Sequence, residues 1–335
     1  MSLNFSGRMW RIFSLWALVV LIYSCGNEKS STPSSPASTS IRIPNFNADS
    51  AYAFLEDQLA FGYRVPGTQE HLECGNYLVD KLSSFDVETT KQPFKTDFLG
   101  RTDVSCFNIL GSINPDHPTR IILAAHWDSR AIAEKESDPS LRDNPIRGAD
   151  DGASGVAVIL EIARTLQENP IDLGIDIIFF DAEDQGESGS GDINTWALGA
   201  QYWSRQILNQ NYNARYGILL DMVGSKNASF GKEDISVRFA GDIVDKIWTL
   251  AARMGYSDYF QNWNAGAVTD DHYFVNTVAK IPMIDIINIS SQDRRSFGHY
   301  HHTNKDDIDI IDKRTLKVVG QVVTAALFRE AEGVL

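Results

Sequence analysis

Four short, almost wholly apolar runs punctuate the chain: Arg120 to Ala125, Ile175 to Phe180, Gly217 to Leu220 and Ile281 to Ile287. Runs of this length with no polar alternation predict strands buried on both faces. Between and around them lie stretches with apolar residues at three- and four-residue spacing. These predict helices over Ala51 to Phe61, Gln69 to Leu82, Ala153 to Leu166, Trp196 to Leu208, Val244 to Met254 and Thr315 to Glu330. Strands alternating with helices predict an α/β fold, a largely parallel sheet covered on both faces.

The N-terminal segment follows a different pattern. Arg8 and Arg11 precede an apolar run from Ile12 to Tyr23 that ends in Ser24-Cys25-Gly26. That order of basic, apolar and small residues is a secretory signal, and the run is short for a membrane span of about 20 residues. Leu21-Ile22-Tyr23-Ser24-Cys25 resembles a bacterial lipobox, which implies lipidation at Cys25. Glu28 to Ser40 is nearly all Ser, Thr, Pro and small residues, a flexible tether. The organisation expected is a signal over 1–24, a tether over 25–42 and one catalytic domain over 43–335.

Composition narrows the partners. The chain has 30 Lys+Arg against 44 Asp+Glu, a formal charge of -14, which argues against a nucleic-acid partner because phosphate binding needs clustered cations. Membrane contact is expected only through the lipid. Two cysteines follow Cys25, Cys74 in a helical pattern and Cys106 in a strand-like one. Their spacing fits no zinc motif, and buried thiols are the simpler reading over a bridge.

Polar residues cluster where strands end. His126 and Asp128 follow the first core run, Asp181, Glu183 and Asp184 the second, and Asp221 the third. Ligands of open α/β sheets bind beyond the carboxyl ends of the strands. Carboxylates and imidazoles without thiolates suit a catalytic zinc with N/O ligands and an open position. Asp150 and Asp151 precede the Ala153 helix, so one of them is also a candidate N-cap. In Glu183-Asp184, adjacent acids repel unless one binds a cation and the other holds or moves a proton.

Taken in order, His126-Trp127-Asp128-Ser129, Gly148-Ala149-Asp150-Asp151-Gly152-Ala153-Ser154-Gly155, Phe179-Phe180-Asp181-Ala182-Glu183-Asp184, Leu219-Leu220-Asp221 and His301-His302-Thr303 resemble the zinc aminopeptidase superfamily. Within it they are most similar to animal-type glutaminyl-peptide cyclotransferases and their bacterial counterparts. The resemblance implies a three-layer αβα sandwich with a mixed, largely parallel central sheet, zinc aminopeptidase-like (phosphorylase/hydrolase-like). It implies one Zn2+ on Asp151, Asp184 and His302, with Glu183 as general acid/base beside Asp221 and Asp270. Trp196 and His301 are the implied substrate-binding residues, and His126 and Asp128 a possible second metal site or the surroundings of the first. The implied substrates are peptide or protein N-termini, handled by a lipoprotein of a bacterial cell envelope, periplasmic or surface-facing. Two departures stand out: Asp184 is one methylene shorter than the usual Glu, and His301 replaces an indole. The rival implied by the same motifs is a two-zinc aminopeptidase, with His126 and Asp221 on the second metal.

Overall fold

The computed structural model describes residues 41–335 except 209 and 211. The signal, the Cys25 motif and nearly all of the tether lie outside the described residues. Ile41–Leu335 forms one compact unit.

Its centre is a six-stranded sheet in the order β1-β2-β4-β3-β5-β8. The strands are β1 (Glu88–Phe98), β2 (Arg101–Ile113), β3 (Arg120–His126), β4 (Gly174–Phe180), β5 (Tyr216–Asp221) and β8 (Met283–Ile287), while β6 (Phe230–Lys232) and β7 (Phe260–Asn264) pair separately. β4, β3, β5 and β8 run parallel, whereas β1 and β2 add antiparallel strands at one edge. The sheet is therefore mixed and largely parallel, as its apolar runs require.

Alternation along each buried strand assigns the two faces. Ile121, Leu123 and Ala125 of β3 join Ile175, Ile177 and Phe179 of β4 in a core shared with α1 (Ala48–Ala60), α2 (Gln69–Ser83), α3 (Ala153–Glu168), α5 (Asp234–Arg253) and α7 (Lys313–Ala331). Ile122, Ala124, Ile178 and Phe180 face the other way, onto α4 (Leu198–Ile207) and short α6 (Asp271–Phe274). Two helical layers thus sandwich the sheet.

Several boundaries differ from the pattern-based reading. In the outer strand β1 only Phe94 and Phe98 are buried, so its apolar pattern is too sparse to mark it, and periodicity marks the β1–β2 hairpin only around Cys106. Leu99 and Gly100 both have positive φ at its two-residue turn, the geometry that matches strand twist. α5 starts ten residues before the expected Val244, with a non-helical break at Ala240. α4 starts at Leu198 because Ala197 is left-handed, which leaves Trp196 in an extended segment. Cys74 and Cys106 are free and buried.

The strand order changes direction at β3, with β4 on one side and β5 on the other. That switch point opens a crevice at the carboxyl ends of both strands. α3 begins beside it: a Cβ on Gly155 would stand 2.1 Å from the Leu220 carbonyl oxygen, so only glycine lets helix and strand approach this closely.

Candidate active site

The crevice holds a cavity of about 540 Å³ lined by Asp151, Glu183, Asp184, Trp196, Asp221, Asp270, His301 and His302, among others. Every residue that the motifs nominated for metal or proton chemistry is therefore at or beside one place.

Asp151 reaches it from the turn before α3. Neither acid of that turn caps the helix; the N-cap is Gly152, without a side-chain cap. Asp150 instead accepts from the Gly224 N–H at 2.6 Å and from the Tyr300 hydroxyl. Asp306 accepts from the backbone N–H groups of Asp150 and Asp151 at 2.7 and 3.1 Å. The turn is thus clamped from two sides, and the Asp151 side chain is free to face the cavity.

Glu183 and Asp184 follow β4 on a bend where Ala182 has φ 53. Asp128 holds this bend, accepting from the backbone N–H of Glu183 at 3.0 Å, that of Asp184 at 3.3 Å and Gln185 Nε2 at 2.9 Å. Its nearest approach to His126 is 3.5 Å, so in this structure Asp128 serves mainly to aim the acidic pair. Asp181 turns away, bound to His71 Nε2 at 2.9 Å and to the Phe107 N–H.

His302 has φ 58, and its ring is fixed from behind: Nδ1 is 2.6 Å from Glu134. Nε2 then points to Asp184 at 3.0 Å and Asp151 at 3.9 Å. Zinc bonds of about 2 Å put neighbouring donors roughly 3 to 4 Å apart. Asp151 Oδ2 and Asp184 Oδ2 are buried without a hydrogen-bond partner. Burial works against charge on His302, yet Asp184 and Glu134 outweigh it and lift the imidazole to about 9. A site that draws a proton this strongly between carboxylates suits a cation; one donor each of Asp151, His301 and His302 lies within 4.8 Å of the others, and Asp184 adjoins them through its 3.0 Å approach to His302.

His301 offers a second imidazole beside Asp151. Its Nε2 stands 3.8 Å from Asp151, and its Nδ1 lies 2.6 Å from Lys135 Nζ. The ring stacks on His302 with centroids 3.7 Å apart and borders the cavity. Trp196 lies on the other side of His302, nearly parallel at 5.9 Å. Gly186 makes room for that indole, since a Cβ there would meet the ring at 2.0 Å.

A second donor group adjoins the first. His126 Nε2 is 3.1 Å from Asp151 and 3.2 Å from Asp221. Burial, with Asp270 and Asp151 nearby, pushes Asp221 up to about 8 despite its bond to His126. Glu183 is also buried, and burial together with Asp270, Asp271 and Asp184 raises its carboxyl well above the ordinary range. A carboxyl raised in this way is better suited to accept and return a proton than an ordinary glutamate.

Motif reading missed the residues that hold these groups. Arg130 is fully buried, donates to the Asp184 and Gly186 carbonyls at 2.7 and 3.0 Å, pairs with Glu134, and lies over the Trp196 ring. The signal for Arg130 was its place directly after His126-Trp127-Asp128-Ser129. Glu134, Lys135, Tyr300 and Asp306 sit in loops with no periodic pattern.

The family model for peptidase family M28 matches residues 108–327. A solved glutaminyl cyclase from Bacteroides thetaiotaomicron is 46% identical, covering 86% of this chain and 99% of that one, with a TM-score of 0.83. A solved Zn-dependent exopeptidase from Parabacteroides distasonis gives the same identity, coverage and TM-score. The glutaminyl-peptide cyclotransferase of Bos taurus is 21% identical over 78% of this chain and 76% of its own. The chain spans 45% of the length of aminopeptidase YwaD of Bacillus subtilis, at 28% identity over 69% of this chain. With its motifs gathered at the switch point of a mixed sheet and a family match across two thirds of its length, the chain belongs to peptidase family M28.

Proposed function

We propose that the protein is a zinc-dependent glutaminyl-peptide cyclotransferase, closing N-terminal glutamine of peptides and proteins to pyroglutamate with release of ammonia. The observation that carries this reading is Glu183. It is a buried carboxyl, raised above the ordinary carboxylate range by burial and by Asp270, beside a cation donor set in a cavity also lined by Trp196. End-to-end likeness to a glutaminyl cyclase supports it.

Zinc bound by Asp151, Asp184 and His302 would supply Lewis-acid polarisation of the γ-carbonyl oxygen. The chain supplies the rest. Trp196 and His301 hold the glutamine side chain folded toward its own α-amine, so that the attack is intramolecular and much of its entropy cost is met on binding. As the amine nitrogen bonds to the γ-carbon, Glu183 takes its proton; as the carbon–nitrogen bond of the carboxamide breaks, Glu183 returns a proton to the departing ammonia. Burial, with Asp270, Asp271 and Asp184 nearby, keeps that carboxyl basic. No water enters the balance.

One observation favours a second reading. His126, Asp151 and Asp221 offer donors at the spacing of a second metal, as a two-zinc aminopeptidase requires. Substrate choice separates the two: Gln-initiated peptides scored for ammonia and pyroglutamate, against leucyl and alanyl amides scored for hydrolysis. Cyclisation without release of free amino acids is the expected result, and robust hydrolysis without cyclisation would establish the peptidase. The proposal extends to place: the lipobox-like motif at Cys25 and its tether support a lipoprotein of a bacterial envelope, periplasmic or surface-facing.

A further inference from the structure

We propose a second cation site behind the catalytic floor, formed by Asp270, His272 and Asp285 and suited to a divalent transition-metal ion. Asp270 and His272 bracket the start of α6, and Asp285 is the middle residue of β8. One donor atom from each lies within 4.8 Å of the others, and all three side chains are buried. None of them belongs to the Asp151, Asp184 and His302 set or to the His126 and Asp221 pair.

The histidine decides what the site can hold. His272 Nε2 is 3.0 Å from Glu233. Glu233 also accepts from the N–H groups of Ile235, Ser236 and Val268 and from the Ser236 hydroxyl. A carboxylate receiving that many donors stays ionised even when buried, so Nε2 carries the ring hydrogen. In the neutral ring Nδ1 is then a bare lone pair. It has no partner, and neither do Asp270 Oδ2 and both carboxylate oxygens of Asp285. These buried acceptors face one another with no donor among them.

Charge points the same way. Among the described residues, the ion pairs made by Glu233, Asp270 and Asp285 involve only His272. Three buried carboxylates against at most one imidazolium are unfavourable unless protons or a cation neutralise them. A proton shared by Asp270 and Asp285 satisfies one oxygen of each and leaves Nδ1 bare. A metal ion meets all three side chains at once. An imidazole whose far nitrogen donates to a carboxylate is also the arrangement in which histidines ligate metals. One imidazole with two carboxylates favours zinc or manganese over calcium or magnesium. An ion here would hold Asp270, which also lines the cavity that contains Glu183.

The test is metal counting on the full-length chain, purified in detergent without chelator and titrated with Zn2+. Two equivalents are expected in wild type, one in Asp285→Asn and one in His302→Ala. A melting curve on each variant separates lost binding from lost folding. A zinc-edge anomalous map of wild-type crystals gives a readout that needs no variant, with a peak expected between Asp270, His272 and Asp285. A single equivalent in both wild type and Asp285→Asn would overturn the site and leave protons as its occupants. So would a second equivalent that disappears in His126→Ala but persists in Asp285→Asn.

Discussion

At the scale of single residues, the active site is a problem of acids held close together, and neighbours decide what each does. Asp128 fixes the backbone of both acids, and Asp184 turns to His302 while burial and Asp270 raise the Glu183 carboxyl above the ordinary range. Glu183→Gln should keep fold and zinc, because the amide preserves shape. Turnover should fall roughly 100-fold or more, the scale of a lost general base. Since burial and Asp270 raise the Glu183 carboxyl, kcat/KM of wild type should fall as pH drops through a limb above the ordinary carboxylate range: once protonated, the group cannot take the amine proton. Normal turnover in Glu183→Gln would remove it from the mechanism. Glu134 makes a second residue-scale case, because it holds the His302 ring from behind at 2.6 Å while also pairing with Arg130. Glu134→Ala should weaken zinc affinity about 10- to 100-fold, measured by competition with a chromophoric chelator. Unchanged affinity would show that His302 needs no carboxylate behind it.

Secondary-structure elements set the distances between those residues. β3, β4 and β5 end together in parallel register, which brings His126, Glu183 and Asp221 to one edge although roughly 95 residues of chain separate the first from the last. α3 carries Asp151 into the same space, and its closeness to β5 depends on Gly155. Gly155→Ala forces a methyl against the Leu220 carbonyl, a contact of 2.1 Å that backbone must relieve. Destabilisation of about 1–3 kcal/mol is expected from urea unfolding, with lower turnover as Asp151 and Asp221 move apart. Stability equal to wild type would show that helix and strand can separate without cost. Element ends were harder to read than element middles. α4 was expected from Trp196, yet the left-handed Ala197 starts it two residues later and turns the indole into the cavity.

For the whole molecule, the anchor proposed at Cys25 bears on where the enzyme works. Cys25→Ala should release the mature protein from the membrane fraction and change its electrophoretic mobility, because lipidation there is the anchor proposed. Unchanged fractionation and mobility would refute it. The catalytic unit from Ile41 onward buries its sheet on both faces, and among the described residues no helix is long and apolar enough to cross a membrane.

Sequence by itself determined the αβα arrangement, because doubly buried strands and amphipathic helices write their burial into hydrophobic period. It also nominated the site acids and histidines, since His126, the Glu183-Asp184 pair and Asp221 stand directly at the ends of apolar runs. Tertiary structure alone decided how they are used. Which acid of Asp150-Asp151 faces the cavity depends on Tyr300 and Asp306, 150 to 156 residues away along the chain. Glu134 and Arg130 left little periodic trace because loops have no repeating geometry, and β1 left little because an edge strand buries few of its residues. The unpartnered cluster of Asp270, His272 and Asp285 exists only because α6 packs on β8, and no local pattern can report a hydrogen bond that is missing.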